Sequence, residues 1–178
     1  YVAARAGLVL HTVEGDMRDL RDLESSSFDL IVHPVSNTFV PDVLPVWHEA
    51  FRVLRPGGAL LSGFDNPAVH LFDEAAYWQG RLEVVHSLPH SDAEHLSQDE
   101  ITDRDERGIP LEFGHTLESQ IGGQLRAGFF LLSLYEDRCA AADDDLLGRY
   151  MPTFIATRAV KPESLDGVLP GRTSHDVC

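Results

Sequence analysis

Three of the chain's nine histidines crowd one short stretch. His86, His90 and His95 fall within ten residues, with Asp92 and Glu94 between them. Imidazoles gathered in that number are the side chains that hold zinc or iron. Their spacing matches no familiar metal-ligand motif, however, and the polar sequence around them reads as exposed loop, so no metal site is expected. His33 follows a short apolar run. A histidine there titrates near neutrality and could hydrogen-bond a ligand or act as a base, or it could simply shape a pocket wall. Asn37 stands four residues on and could orient a substrate or make a turn. His115, beside Phe113, could face a pocket, though a structural role is the stronger expectation. Cys139 follows Arg138, but nothing nearby supplies a base, so a reactive thiol is not expected.

The elements that would position these groups are best marked between Phe28 and Phe64. Phe28–Val32 is an apolar run with a single Asp, the pattern of a strand buried on both faces. Asp42 can cap a helix and Pro45 suits its first turn. Val43, Trp47, Ala50, Phe51 and Leu54 then recur at helical spacing as one apolar stripe. Arg52 and Arg55 complement the dipole of the last turn. Pro56 stops the helix, and Gly57-Gly58 allows a tight turn into a second strand, Ala59–Phe64. A strand re-entered after one helix marks a parallel α/β sheet, which binds ligands beyond the carboxyl ends of its strands.

Elsewhere Tyr1–Ala6 reads as a helix end stopped by Gly7, and Leu8–Val13 as a strand followed by a turn at Gly15–Met17. Pro67–Tyr77 could hold a short helix, and Leu82–Leu88 a half-exposed strand. Asp92–Gly108 reads as surface loop or exposed helix. Thr116 can cap a helix with Leu117, Ile121 and Leu125 as its apolar row, ended by Gly128. Gly122-Gly123 inside that helix implies close packing against the sheet or room for a ligand. Phe129–Tyr135 and Thr153–Val160 read as strands around an Asp143–Asp145 loop. With no helix between them they suggest an antiparallel pair at one sheet edge. Residues 161–178 are polar, contain Pro and Gly, and read as a disordered tail.

The formal charge of −15 argues against a protein built to grip a nucleic-acid backbone. No stretch has the length of a membrane span, and Tyr1–Gly7 does not look like a signal peptide. Two cysteines, Cys139 and Cys178, make a disulfide framework improbable and a cytoplasmic location the default.

Three stretches resemble class I S-adenosylmethionine-dependent methyltransferases. Val13-Glu14-Gly15-Asp16-Met17 resembles the end of that family's third strand. Phe28-Asp29-Leu30-Ile31-Val32-His33 resembles its fourth, and Ala50–Gly58, ending Leu54-Arg55-Pro56-Gly57-Gly58, the helix and turn that follow. The closing strands resemble its last two. The resemblance implies a Rossmann-like, mostly parallel sheet with an antiparallel C-terminal strand, and S-adenosyl-L-methionine as cofactor. It places Asp16 at the adenine amine, Met17 at the ring through its backbone N–H, and His33 where cofactor and substrate meet. Asn37 and His115 fall on the substrate side. Asp65-Asn66-Pro67 sits after the fifth strand and is not the Asn-Pro-Pro-aromatic motif of nucleic-acid amino methyltransferases, which belongs after the fourth.

The departure from the family is as informative. No Gly-x-Gly-x-Gly occurs, and no counterpart of the ribose-binding acidic residue is found. The family's sheet order is 3-2-1-4-5-7-6, and strands 1 and 2 are expected to be missing. Residues 1–160 would then be a partial domain, with 65–115 as a candidate substrate lid. The third strand would have to pair with the fourth, pair with another chain, or lose its place. The expected activity is methyl transfer to a small-molecule acceptor, by a fragment whose cofactor site is incomplete. The alternative is a non-catalytic remnant acting through protein–protein pairing, for instance as a homodimer joined at an exposed strand edge.

Overall fold

Strand, helix and strand over residues 28–64 are what the chain forms. The computed structural model describes residues 5–139 and 145–164. β1 (Phe28–His33) leads through a 3-10 turn at Asn37–Phe39 into α1 (Leu44–Val53), and α1 into β2 (Leu54–Asp65). β1 and β2 pair in parallel, from Leu30 against Ala59 to His33 against Ser62. The helix starts one residue later than its sequence signals suggest. Asp42 nonetheless accepts the Leu44 N–H at 2.9 Å, and Pro45 sits in the first turn. Pro-Gly-Gly does not precede β2 but lies inside it, where the register between Phe28 and Leu30 shifts. Glycine is required there. Gly57 has φ +80°, and a Cβ on Gly58 would stand 2.8 Å from the Arg55 carbonyl oxygen.

The later elements are short until the sheet resumes. α2 (Glu74–Trp78) follows a 3-10 turn at Pro67–Leu71. β3 (His90–Ser91) runs directly into α3 (Asp92–His95), and α4 (Gln98–Glu106) follows with a complete Ser97–Glu100 capping box. β4 (Phe113–Gly114) pairs with β3. A π turn at Glu118–Gly122 continues into α5 (Gly123–Ala127), which Gly128 ends at φ +108°. β5 (Phe130–Asp137) and β6 (Phe154–Val160) complete the main sheet in the order β1-β2-β6-β5. β6 is antiparallel to both neighbours, so β1, β2 and β5 share one direction. The antiparallel strand is therefore internal, and β5 takes the edge. This is the 4-5-7-6 portion of the order expected from the resemblance.

One face of this sheet is well covered. Val43, Trp47 and Ala50 of α1 bury against Leu54, Leu60, Phe129 and Ala159. α5 packs beside α1, and a Cβ on Gly123 would meet Trp47 Cδ1 at 2.6 Å. Gly123 thus serves helix-to-helix approach, while a Cβ on Gly122 would meet only the Arg126 and Glu118 side chains. Lys161 closes the end of α1, donating from Nζ to the Phe51 and Leu54 carbonyls at 2.8 Å each.

Several expectations need correction. Leu8–Val13 forms no strand, and its apolar side chains are exposed, because no strand lies beside it to complete a ladder. β1 is not buried on both faces: Leu30 is 51% and Val32 64% exposed, since β1 is a sheet edge. Leu82–Leu88 makes only an isolated bridge, Val84 to Phe72. The row Leu117, Ile121 and Leu125 is not the packing face. Leu117 and Leu125 are exposed, while Gln120, Gly123 and Gln124 are buried against α1 and the sheet. Most of the predicted Tyr1–Ala6 helix, residues 143 and 144 of the predicted loop, and the tail beyond Ser164 lie outside the described residues.

Candidate functional site

At the carboxyl end of β1 a closed polar network forms. His33 Nε2–H donates to Asn37 Oδ1 at 2.7 Å, and Asn37 Nδ2 donates to Gln120 Oε1 at 2.7 Å. His115 Nε2–H donates to the Asn37 carbonyl at 3.0 Å. Gln124 extends the network to β6, accepting from Thr157 Oγ1 at 3.0 Å. Asn37 is 1% exposed. The 3-10 turn after β1 points it inward, and the π turn brings Gln120 to meet it. Burial pushes the His33 pKa down, against the opposing effect of its bond to Asn37. His33, Asn37 and His115 are thus brought together as expected, but as partners of one another. Two hydroxyls nearby are buried without hydrogen-bond partners, Thr38 Oγ1 and Ser62 Oγ, the latter paired in register with His33.

Beyond the carboxyl end of β2 the surroundings differ. A cavity of about 780 Å³ opens there, lined by β2's last residue Asp65 and by side chains of the 65–112 segment. Asp65 is desolvated and also faces Glu112, which together raise its pKa to about 6. Burial likewise raises Glu112. His70 Nε2 stands 3.9 Å from Asp65 Oδ2, yet burial and neighbouring imidazoles hold its pKa down to about 4. Its ring stacks on His90 at 5.9 Å between centroids. His86, His90 and His95 then form a triangle with centroid separations of 4.6, 5.0 and 4.8 Å. One ring nitrogen from each lies within 4.8 Å of those from the other two.

The expectation that these histidines sit on an exposed loop is corrected for His90, while His95 stays exposed and His86 is half-buried. Pairing of His90 with Gly114 pulls the segment inward, and both His90 and Asp92 are buried. Asp65, His70 and Glu112 were not singled out as functional by sequence. The Asp at the end of the second strand was the available signal, because that is the edge where such sheets bind ligands. Asp16 lies apart and exposed. Its carboxylate takes Arg18 Nε at 3.0–3.1 Å and Nη2 at 2.6 Å, which lowers its pKa to about 2. Met17 is partly buried against the core. Cys139 is exposed at the cavity rim.

The architecture is a mixed, mostly parallel α/β sheet with polar groups gathered at the carboxyl ends of β1 and β2. Residues 2–62 match the family described as Methyltransferase domain. The uncharacterized methyltransferase YbaJ of Bacillus subtilis (strain 168) is 49% identical over 160 residues, or 90% of this chain and 61% of that protein. The chain therefore spans about 61% of the length of this curated relative. The S-adenosylmethionine-dependent methyltransferase of Mesorhizobium loti superposes with a TM-score of 0.61 at 19% identity, covering 89% of this chain and 74% of that one. A geranyl diphosphate methyltransferase in complex with S-adenosylmethionine superposes at 0.54 with 12% identity, covering 90% and 62%. Over residues 2–62 the chain thus carries a match to the methyltransferase domain, and its sheet has the fold of solved proteins named for their dependence on S-adenosylmethionine.

The residues fit that cofactor in part. The orphaned hydroxyls of Thr38 and Ser62 offer polar partners at the right edge. The sequence has no glycine-rich loop to approach a methionine moiety, and Asp16 is already engaged by Arg18.

Proposed function

We propose that this chain is the acceptor-binding part of a methyltransferase acting on a small molecule, with an incomplete grip on its cofactor. The observation that carries the reading is the cavity at the carboxyl end of β2, with the desolvated Asp65 at its floor. A carboxyl group with a pKa of about 6 can accept a proton from an acceptor hydroxyl, amine or thiol near neutral pH. Methyl transfer otherwise asks mainly for alignment, because the donor sulfonium is already activated. The segment 65–115 walls the cavity and would act as the substrate lid. Asp16, Met17 and His33 are the residues we would place toward the cofactor, with Asn37 and His115 holding the junction in shape. A cytoplasmic setting agrees with this reading; no helix among the described residues is long and apolar enough to cross a membrane.

The incomplete grip is inferred from the interior of the fold. β1 is an open edge with exposed Leu30 and Val32, and Leu8–Val13 finds no ladder. Additional strands beside β1 would cover both. The same edge favours the second reading, a remnant that pairs there with another copy or another protein. Calorimetry with S-adenosylhomocysteine separates the two, run on this chain and on a version extended upstream. The first reading expects heat from the extended version and weak or no heat from this chain. An extended version that binds nothing sinks the enzyme reading, and a folded monomer in sedimentation sinks pairing with another copy.

A further inference from the structure

We propose that His86, His90 and His95 hold a divalent transition-metal ion, zinc foremost, in the wall of the cavity. Their ring nitrogens already converge within 4.8 Å. The hydrogen bonds behind the rings are those of ligands. His90 spends its Nε2–H on Asp92 Oδ1 at 3.0 Å, which leaves the lone pair on Nδ1. That Nδ1 is buried with no hydrogen-bond partner, in a residue only 9% exposed. An orphaned acceptor of this kind is costly unless something positive occupies the space before it. His95 is oriented through its other nitrogen: Nδ1–H donates to the Ser91 carbonyl at 2.7 Å, leaving Nε2 free to coordinate. A carboxylate or carbonyl behind the imidazole is the usual outer partner of a metal-bound histidine.

The outer layer is itself anchored. Asp92 Oδ2 accepts the Glu112 N–H at 2.9 Å and lies 3.5 Å from Arg104. His90 is fixed by the β3–β4 pair, and His95 closes the single turn of α3 that begins at Asp92. Tetrahedral zinc with Zn–N of about 2.1 Å needs nitrogens about 3.4 Å apart. The two less buried rings, His86 and His95, would rotate toward the fixed His90 to reach that spacing. Three neutral imidazoles without thiolate favour Zn²⁺, Co²⁺, Ni²⁺ or Cu²⁺ over Mg²⁺ and Ca²⁺. They also leave a fourth position for water or for a ligand from the cavity that all three line. Sequence spacing gave no warning, because β3–β4 pairing and the α3 turn, not a linear motif, make the cluster.

The test uses the untagged, chelator-treated chain, titrated with zinc sulfate by calorimetry and with cobalt chloride by visible absorption. One ion per chain and the d–d bands of tetrahedral cobalt are expected. H86Q and H95Q should each weaken binding at least about tenfold. D92N, which keeps all three imidazoles, should weaken it about 10–100-fold through loss of the outer partner. H48Q, on the exposed side of α1, should change nothing. The proposal is overturned if the parent chain takes up no ion, or if H86Q and H95Q, folded by circular dichroism, bind as tightly as the parent. None of these readouts depends on methyl transfer, so the site can stand or fall separately from the enzyme reading.

Discussion

Two ends of neighbouring strands, one step apart in the sheet, treat buried polar groups in opposite ways. At the end of β1, His33, Asn37, Gln120 and His115 answer one another's donors and acceptors. At the end of β2, Asp65, Glu112 and His70 are desolvated with their pKa values displaced, and His90 Nδ1 has no partner. A satisfied network fixes a structure and has little left to offer a ligand. An unsatisfied one stores free energy that a ligand, proton or ion can release. The difference locates chemistry beyond β2 and architecture beyond β1, although the histidine and asparagine of β1 were the more conspicuous in sequence.

The largest effect that would break this comparison is a change at Asn37. N37A leaves His33 Nε2–H with only Ser36 Oγ at 3.4 Å and leaves Gln120 Oε1 without its donor, in a buried site. Urea unfolding should show a loss of about 2–4 kcal/mol, a sum of two stranded groups. A loss under 1 kcal/mol would mean that water already enters there and that the network is no keystone.

At Asp65 the sign reverses. A carboxyl whose folded pKa is raised contributes stability below its unfolded value near 4, and that contribution disappears as pH rises through about 6. Asn lacks the charge. D65N should therefore match the parent below pH 4, with its relative advantage growing between pH 4 and 6 to about 3 kcal/mol above. His70 acts in the same window with opposite sign, since a histidine held at about 4 loses its stabilisation as pH falls from 6.5. Only the difference between D65N and parent isolates Asp65. Thermal melts of both proteins across pH 4–8, in chelator, measure it. A constant difference across that range would remove Asp65 from the list of strained groups.

How much of this was legible in sequence follows the same division. The β1–α1–β2 unit could be read because capping, periodicity and the Pro-Gly-Gly stop all act locally. Leu8–Val13 has as good a strand pattern but no neighbouring strand, and a strand is made by its neighbour. Leu117, Ile121 and Leu125 misled because Trp47 demands a glycine opposite it. Gly123 brings its own face, with Gln120 and Gln124, into the core and leaves the leucines outside. The cluster of His86, His90 and His95 was visible as composition. The burial of His90 was not, because that depends on a two-residue pairing between β3 and β4, twenty-odd residues apart.

Thr38 gives the smallest effect and the sharpest question. Its hydroxyl, like that of Ser62, is an exception near the end of β1, buried beside Asn37 and yet unpartnered. Valine has nearly the same shape and no hydroxyl to desolvate. If the orphan is only a residual strain, T38V should leave stability unchanged or raise it by about 0.5–1 kcal/mol. If the hydroxyl is reserved for a ligand, T38V should keep that stability while weakening S-adenosylhomocysteine binding in an upstream-extended protein several-fold. Paired melts and calorimetry tell these apart. A several-fold loss of binding without loss of stability would make Thr38 a group beyond β1 that behaves like those beyond β2. The boundary between architecture and chemistry would then run through the 3-10 turn, between Asn37 and its neighbour.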